Sequence, residues 1–410
     1  MEAGVPRPPE GGFRHERRRP DPRGRTPHPI PMNIRKLVLF PLLAAAALAG
    51  CRKSGGEVVI GIAGPLDKPN GRSMKLAAQM AADEINAAGG IGGRRVRLEF
   101  GDDEGDAGKA IEVARKLREN PAVVAVVGHV NSAASLKAAT IYNAVNNDSV
   151  GGSPVVQISP ASSSPQLTGS GDWTFRICPT DLEFSPALAR WAARLGRKKA
   201  AVLYANDDYG QGVMATFADA FGRDGGAVVS RDPFLPAVYS DPGALDPYLA
   251  RAFRRGADAL VIGGQAPEGL KIIAAARRMG FTGPILGSDG LTGVKDGGPV
   301  AEGVYVSSAF LPDRPAQKAQ QFVQAYRERF RELPDHRGAM TYDVIYLLKD
   351  AIEHAGTGRR QIRDYVAGIG ISRGAFEGLS GTIRFDRNGD VVGKEVAVGV
   401  VRNGQLVTAR

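Results

Sequence analysis

Short apolar runs alternate with helix-spaced apolar positions from residue 58 onward. Runs such as Val58–Ile62 and Val123–Val127 are continuous, which is typical of strands buried on both faces of a parallel sheet. Between them, as at 74–88 and 132–144, apolar residues recur every three or four positions and predict amphipathic helices. This alternation predicts an α/β fold whose parallel sheets are covered by helices on both faces.

The alternation occurs twice along the chain. The first series ends near Trp173–Ile177, and the second begins with a predicted strand at Ala200–Tyr204. Two longer predicted helices follow, and then a predicted late hairpin formed by residues 381–390 and 395–406. We therefore predict two Rossmann-like lobes with parallel central sheets and a ligand cleft between them. The predicted N-terminal lobe is 57–178 plus 306–380, and the predicted C-terminal lobe is 179–305 plus 381–410.

The beginning of the chain has a different pattern. Residues 1–31 are rich in Pro, Arg and Gly and have few apolar positions, which predicts disorder. We expect translation to start at Met32, so that 1–31 is an artefactual extension.

Residues 32–50 are predicted to be a lipoprotein signal peptide. Two basic residues precede an apolar run that is too short to span a bilayer, and small residues end it just before Cys51. The ending Leu48–Cys51 resembles a bacterial lipobox, which implies acylation of Cys51 at the start of a linker, 51–56. An uncleaved membrane anchor with a chance cysteine is the alternative. Both place the folded part outside the cytoplasmic membrane.

The net charge of +10 is concentrated at the N-terminus. Residues 1–50 hold nine Lys and Arg against four Asp and Glu, and no basic stripe interleaved with aromatics follows. Nucleic acid is therefore excluded as a partner. The second cysteine, Cys178, lies at the end of an apolar segment and is predicted to be buried and unpaired.

Catalytic motifs are absent from the sequence. It contains no phosphate-binding glycine loop, no G-x-S-x-G and no H-E-x-x-H. The three histidines of the predicted folded part, His129, His336 and His354, are too far apart in the chain to suggest a catalytic pair. We predict that the protein is not an enzyme and uses neither a cofactor nor a metal.

Polar residues follow the predicted strands at their carboxyl ends, where open α/β sheets bind ligands. Residues 128–135 and 159–168 offer small hydroxyls and backbone N–H groups that suit a carboxylate. In the second series, Tyr209 can cover an apolar group and Asp289 suits an ammonium. Each residue alone fits a cap, a turn or core packing, but their recurrence at successive strand ends predicts a site for a zwitterion.

These residues resemble those of the bacterial branched-chain amino-acid-binding proteins, which are type I periplasmic binding proteins that feed ABC importers. The resemblance covers residues 57–410. Its most specific segments are Ala81–Ile91, Gly101–Asp103, Val127–His129, Ser159–Ala161, Asp208–Gly212, Gly381–Asp386 and Gly389–Asp390.

The resemblance implies a ligand-binding role for each residue of the site. The ligand carboxylate would be held by groups at Ser132, Ala161 and Ser163, and the ammonium by Ala161, Ser163 and Asp289. Tyr209 would close over the ligand from the second lobe.

Two site positions depart from the family pattern. Gln265 stands where leucine-binding members carry an aromatic residue, which implies a more polar side-chain pocket. Asp289 stands where many members have glutamate, and the shorter side chain shifts or weakens an ammonium contact.

The predicted function is therefore solute binding outside the cytoplasmic membrane. A lipid-anchored, monomeric protein would close its lobes by hinge motion on an amino acid, branched-chain or related, and deliver it to an ABC transporter permease. A sensory or transport binding protein for amides, urea or another small carboxylate is the alternative. An exported α/β enzyme is a third, weaker hypothesis.

Overall fold

The computed structural model describes residues 55–145, 152–235, 241 and 243–410. The predicted extension 1–31, the predicted signal peptide 32–50 and Cys51 lie outside the described residues. Within the described part, no helix is both long and apolar enough to cross a membrane.

The described strands and α-helices alternate along most of the chain. The strands are β1 (Gly55–Gly64), β2 (Arg94–Asp102), β3 (Val123–Gly128), β4 (Val156–Ser159), β5 (Thr174–Arg176), β6 (Lys199–Ala205), β7 (Ala227–Phe234), β8 (Ala259–Gly263), β9 (Ile285–Gly287), β10 (Tyr305–Ser308), β11 (Phe376–Gly378), β12 (Gly381–Ile383), β13 (Ala397–Arg402) and β14 (Gln405–Thr408). The α-helices are α1 (Pro69–Ala87), α2 (Ala107–Glu119), α3 (Ser132–Tyr142), α4 (Asp181–Arg194), α5 (Asp208–Arg223), α6 (Asp246–Arg254), α7 (Ala266–Arg278), α8 (Gln317–Phe330), α9 (His336–Ala355) and α10 (Arg359–Gly368). Short 3₁₀ segments lie at Pro165–Leu167 and Asp289–Ala301.

The first sheet is parallel throughout, in the order β2-β1-β3-β4-β5. Val58, Ile60 and Ile62 of β1 pack into one apolar cluster, whereas Val59 and Ala63 pack into another. This is the period of two expected of a strand with both faces covered. The continuous apolar runs of the sequence are explained by this double burial.

The second sheet has the order β14-β13-β10-β9-β8-β6-β7. Its strands are parallel from β7 to β10, and β13 and β14 add an antiparallel edge. Ala201 and Leu203 of β6 face one apolar cluster and Ala200 and Val202 face another. Each sheet therefore forms the centre of its own helix-covered lobe.

The described residues cross between the lobes three times, and the two late crossings lie further along the chain than predicted. β10 pairs with β9 and β13, so residues 306–308 belong to the C-terminal lobe and not to the predicted segment 306–380. Ile383, Phe385 and Val391 pack in the core of the first sheet, although the predicted boundary at 380 assigns them to the other lobe. Their apolar side chains are buried there against α9 and α10.

The predicted hairpin between 381–390 and 395–406 is wrong. β12 pairs with β11, and β13 pairs with β14 across Asn403 and Gly404. Both turn residues have positive φ, 51° and 70°, which is the geometry of the two-residue turn that favours Asn-Gly. A strand pairs most readily with the segment that a tight turn places beside it, so the Asn-Gly dipeptide was the stronger signal.

Candidate functional site

A buried turn at residues 159–164, here called the serine turn, follows β4. Ser159 Oγ donates to the carbonyl oxygen of His129 (2.7 Å) and accepts from the N–H of Ser162 (3.0 Å). Ser162 Oγ donates to the Val130 carbonyl oxygen (3.0 Å) and shares a hydrogen bond with Ser135 Oγ (2.6 Å). These hydroxyls hold the turn against the loop between β3 and α3.

The predicted carboxylate-binding residues lie on and beside this turn. Ser132 is the first residue of α3, and no side chain caps that helix end. Its hydroxyl accepts a hydrogen bond from the N–H of Ser164 (3.2 Å), which places the helix start next to the turn. Ala161 and Ser163 are buried in the turn, and the hydroxyl of Ser163 has no hydrogen-bond partner. An uncapped helix start offers backbone donors and a favourable dipole to an anion.

Arg176, at the end of β5, braces the serine turn from behind. Its Nη1 donates to the carbonyl oxygens of Ser162 (3.1 Å) and Ser164 (2.7 Å), and its Nε donates to Asp390 (2.6 Å). The guanidinium is buried, and the Asp390 carboxylate is mostly buried. Because Asp390 lies close to the last crossing between the lobes, this ion pair ties two parts of the chain to the turn.

Asp181, the first residue of α4, is a site residue that the sequence reasoning missed. Its N–H donates to the carbonyl oxygen of Ser163 (2.9 Å), yet both carboxylate oxygens are buried without a hydrogen-bond partner. Burial raises the pKa of Asp181 well above its usual range, and the charge of Asp289 raises it further. The nearby Ser163 hydroxyl lowers this pKa, although no hydrogen bond of standard length joins the two groups.

The missed signal was the strand before Asp181. Residues 174–176 form β5 at the edge of the first sheet, and Asp181 follows five residues after its end. Had that three-residue segment been recognised as a strand, the rule that ligands bind at strand ends would have pointed to Asp181.

Tyr209 and Asp289 meet in the C-terminal lobe. The Tyr209 hydroxyl donates to Asp289 Oδ1 (3.0 Å) and accepts from the N–H of Gly290 (2.8 Å). Ser288 Oγ also donates to Oδ1 (3.2 Å). The sequence predicts that Tyr209 covers the ligand, and the structure adds that this residue fixes the Asp289 carboxylate.

His336 and Arg337, the first two residues of α9, were also missed. His336 Nε2 lies 3.6 Å from Asp289 Oδ2. Arg337 Nη1 donates to Thr292 Oγ1 (2.9 Å) and to Asp335 Oδ2 (2.9 Å). No predicted strand precedes this helix, so the strand-end rule could not find them. We call His336 and Arg337 the basic pair.

The basic pair changes the electrostatics of Asp289. Burial by itself raises the pKa of Asp289, but hydrogen bonding and charge from His336 and the charge of Arg337 outweigh it. The pKa of Asp289 therefore lies below its ordinary value, and this carboxylate is ionised at neutral pH. Asp181 and Asp289 thus differ, because the charge of Arg176 does not outweigh the burial of Asp181, whereas His336 and Arg337 outweigh the burial of Asp289.

Gln265 occupies the N-cap position of α7, but its side chain makes no capping hydrogen bond and instead reaches Arg337 of the basic pair. Its Oε1 lies 3.5 Å from Arg337 Nη2, at the upper limit for a hydrogen bond. The side chain is partly buried. A polar amide therefore stands where the resemblance implies an aromatic wall in leucine-binding proteins.

The structure brings the six predicted residues into one continuous region. Ser132, Ala161 and Ser163 lie in the N-terminal lobe; Asp181 follows the first crossing and interacts electrostatically with both Tyr209 and Asp289. Gln265 joins this region through Arg337. In the described part of the chain, no group of three His, Cys, Asp or Glu residues is arranged to hold a metal ion.

Cys178 lies near this region but has the properties of a core residue. It is completely buried, and burial raises the pKa of its thiol, which disfavours the reactive thiolate. The region therefore presents donors and acceptors for a ligand without a reactive nucleophile.

Comparisons with known proteins agree with this arrangement. A model of the family described as "Periplasmic binding protein" matches residues 58–405. The Leu/Ile/Val-binding protein homolog 1 of Brucella abortus is 27% identical over 364 residues, covering 87% of this chain and 94% of that protein. A leucine-, isoleucine-, valine-, threonine-, and alanine-binding protein of Pseudomonas aeruginosa is 28% identical over 365 residues, covering 86% of this chain and 92% of its own length.

Solved structures give the same result. A leucine binding protein from Thermotoga maritima superposes with a TM-score of 0.76 at 29% identity, covering 86% of this chain and 98% of that structure. A branched-chain amino acid transporter substrate binding protein from Streptococcus pneumoniae, in complex with isoleucine, gives a TM-score of 0.74 at 27% identity, covering 85% of this chain and 97% of that structure.

These similarities confirm the predicted two-lobed α/β fold of the type I periplasmic binding proteins and the resemblance from which it was inferred. The relatives are solute-binding proteins and not enzymes, which agrees with the lack of catalytic motifs. The chain belongs to the periplasmic binding protein family.

Proposed function

We propose that the protein captures an amino acid between its lobes and delivers it to the membrane permease of an ABC importer. The amino-acid specificity named for its relatives supports this ligand class. The cluster of polar groups between the two lobes supports it independently.

One observation carries the proposal: a buried carboxylate and a buried hydroxyl lack partners beside an uncapped helix start. The Asp181 carboxylate and the Ser163 hydroxyl are unpartnered, and α3 begins at Ser132 without a side-chain cap. An isolated buried carboxylate is strongly disfavoured unless a cation joins it. An α-amino acid supplies both an ammonium for Asp181 and a carboxylate for the helix start.

The proposed roles follow from these contacts. The ligand carboxylate binds N–H and hydroxyl groups at Ser132, Ala161 and Ser163. The ligand ammonium lies between Asp181 and Asp289 and also donates to Ser163. Tyr209 holds Asp289 in place for this contact. The ligand carboxylate is bound by residues of the N-terminal lobe, whereas Asp181 and Asp289 lie after the first crossing, so the bound amino acid favours the closed lobes.

The proposal includes the cellular setting. Family membership implies a location outside the cytoplasmic membrane, and acylation of Cys51 would hold the monomer at the membrane surface. Metabolic labelling with a fatty acid, followed by mass spectrometry, should find lipid on the wild-type chain. The Cys51→Ser variant should carry none. Labelling of both chains, or of neither, would contradict the anchor.

The ligand class can be tested on the chain expressed from residue 52, which contains the whole compact unit Ser54–Arg410. Native mass spectrometry would identify any co-purified molecule. After denaturation and refolding to remove it, thermal shifts would be measured against amino acids, simple amides, urea and non-amino carboxylates.

An amino acid that raises the unfolding temperature is the expected result, and Asp181→Ala should reduce that rise. Stabilisation by amides or urea alone would favour the alternative binding function, which the polar side chain of Gln265 also fits. Stabilisation by carboxylates that lack an amino group would remove Asp181 from its proposed role.

A further inference from the structure

The basic pair is a second polar cluster, which adjoins Asp289 of the proposed ammonium site. Arg337 is only 3% exposed and His336 is fully buried. Both belong to α9, which packs on the first sheet, but they contact Thr292 and Asp289 of the C-terminal lobe. They therefore lie where the two lobes meet.

The guanidinium of Arg337 has unused hydrogen-bonding capacity. It carries five N–H donors. Nη1 uses its donors on Thr292 and Asp335, Nη2 reaches only Gln265 at 3.5 Å, and Nε has no partner. The Nε2 atom of His336 makes no hydrogen bond of standard length, but Asp289 Oδ2 lies 3.6 Å from it. A buried donor in the state of Arg337 Nε costs about 1–3 kcal/mol, so an acceptor is missing beside Arg337.

A cavity beside the basic pair provides room for that acceptor. Its volume is about 480 Å³, and it lies between the start of α1 and residues 290–296. Gly290, Thr292 and Arg337 line it on the side of the predicted ammonium-binding Asp289. A ligand held at Asp289 can therefore extend its side chain into the cavity.

The other two cations that line this cavity already have carboxylate partners. Arg72 pairs with Glu332 at 3.1 Å, and Lys295 pairs with Asp296 at 2.6 Å. Both of these pairs are partly exposed to solvent. Arg337 differs because it is buried and retains an unpartnered Nε despite its contact with Asp335.

An apolar branched side chain fits this cluster poorly. It would fill the cavity beside Arg337 without supplying an acceptor for the unpartnered Nε. A binding site built to hydrogen-bond a ligand discriminates strongly against an analogue that lacks the matching group. A planar oxygen acceptor fits well, because a guanidinium presents parallel donors to a carboxylate and single donors to an amide oxygen.

We infer that the captured amino acid ends in a carboxylate or carboxamide, whose oxygen accepts hydrogen bonds from Arg337 beside Gln265 and Thr292. This inference rests on the proposed capture of an amino acid and names the class of its side chain. Arg337 is then a residue that determines specificity, and the acceptor completes the contact between α9 and the C-terminal lobe.

The test is isothermal titration calorimetry on the refolded chain from residue 52. L-Glutamate, L-aspartate, L-glutamine and L-asparagine are compared with L-leucine, L-isoleucine and L-valine. At least one ligand of the first group should bind about 10-fold or more tightly than every ligand of the second. Preference for the acids identifies a carboxylate acceptor, whereas equal or stronger binding of the amides identifies a carboxamide.

Two arginine variants make the test specific. Arg337→Met should weaken binding of the preferred ligand by about 10- to 100-fold, the range for losing a hydrogen bond between charged groups. The matched control Arg72→Met lines the same cavity but removes a more exposed, paired arginine, and it should change the Kd by less than about 3-fold. Circular dichroism would establish that each variant is folded.

A folded Gln265→Leu variant provides a second approach if Arg337→Met fails to fold, and it should shift preference towards leucine. Tightest binding of leucine, isoleucine or valine by the wild type would overturn the inference and leave amino-acid capture standing. Failure of every amino acid to bind the folded protein would instead overturn the proposed function.

Discussion

The serine turn and the basic pair face the same cleft but are held in opposite ways. In the serine turn, Ser159 and Ser162 are tied to neighbouring backbone by hydrogen bonds of 2.7–3.0 Å, and Arg176 donates to the turn from behind. At the basic pair, the contacts with Thr292, Gln265 and Asp289 include separations of 3.4–3.6 Å. The hydroxyls of Ser159 and Ser162 are already paired within the protein, whereas we expect the basic pair to gain a hydrogen bond from the ligand.

This difference indicates that the two regions recognise different parts of the ligand. The serine turn suits the ammonium and carboxylate that all α-amino acids share, because preorganised donors lose little entropy on binding. We expect the basic pair to face the side chain, which differs among amino acids. Substitutions in the two regions should therefore have different consequences for folding and for ligand choice.

Removing the Arg176 side chain, which supports the serine turn, should have the largest effect on stability. Arg176→Met leaves Asp390 mostly buried without its ion-pair partner, so the free energy of unfolding should fall by about 3–5 kcal/mol. Urea denaturation measures this change. The control Arg223→Met removes an exposed pair with Asp219 and should cost less than about 0.5 kcal/mol. Equal effects of the two substitutions would mean that the turn does not depend on its brace.

Neutralising the unpartnered carboxylate of Asp181 should change ligand affinity and protein stability in opposite directions. Asp181→Asn should weaken amino-acid binding by about 10- to 100-fold, because a charged contact with the ammonium is lost. It should also stabilise the ligand-free protein at neutral pH. Calorimetric titration and urea denaturation measure the two quantities.

The stability gain should depend on pH in a defined direction. Burial raises the pKa of Asp181 in the folded state, so wild-type stability is retained below the unfolded pKa, about 4, and is lost as pH rises through the folded value. The gain from Asp181→Asn should therefore grow from pH 4 towards pH 8. The exposed Asp224→Asn serves as the control. A gain that shrinks with rising pH would contradict the assignment.

Two adjacent serines allow a matched comparison within the turn. Ser162→Ala removes hydrogen bonds to Val130 and Ser135 and should lower the free energy of unfolding by about 1–3 kcal/mol. Ser163→Ala removes a hydroxyl that has no protein partner, so its effect on unfolding should stay within about 0.5 kcal/mol. Ligand affinity should fall about 3- to 10-fold in Ser163→Ala. The reverse pattern would place Ser163 in the scaffold instead of the binding site.

The smallest predicted effect belongs to Tyr209. Tyr209→Phe keeps the ring but removes the hydroxyl that joins Asp289 and the N–H of Gly290. We expect a loss of about 1 kcal/mol in binding free energy, measured by calorimetry. A substantially larger loss would show that the hydroxyl contacts the ligand directly.

Much of the fold could be predicted because burial leaves a local pattern. The apolar run of β3 and the helical spacing of α1 required no knowledge of distant residues. The late crossings could not be located in this way. Ile383 and Phe385 are apolar in either lobe, and only their packing against the first sheet assigns them to the N-terminal one.

Local sequence pattern likewise identified only part of the candidate site. Ser132, Ser163, Tyr209 and Asp289 follow strands that the sequence marks clearly, so strand-end reasoning and the family resemblance could nominate them. Asp181 follows a strand of only three residues, which is too short for a period to be recognised.

The sequence by itself determined the α/β class, the repetition of two lobes and the polar strand ends, because these depend on spacing within short segments. Only the tertiary structure decided that Asp181 is buried without a partner and that α9 brings His336 and Arg337 beside Asp289. Burial, charge pairing and missing hydrogen bonds arise between residues far apart in the chain. No local pattern records them, and they are the properties that distinguish one ligand from another.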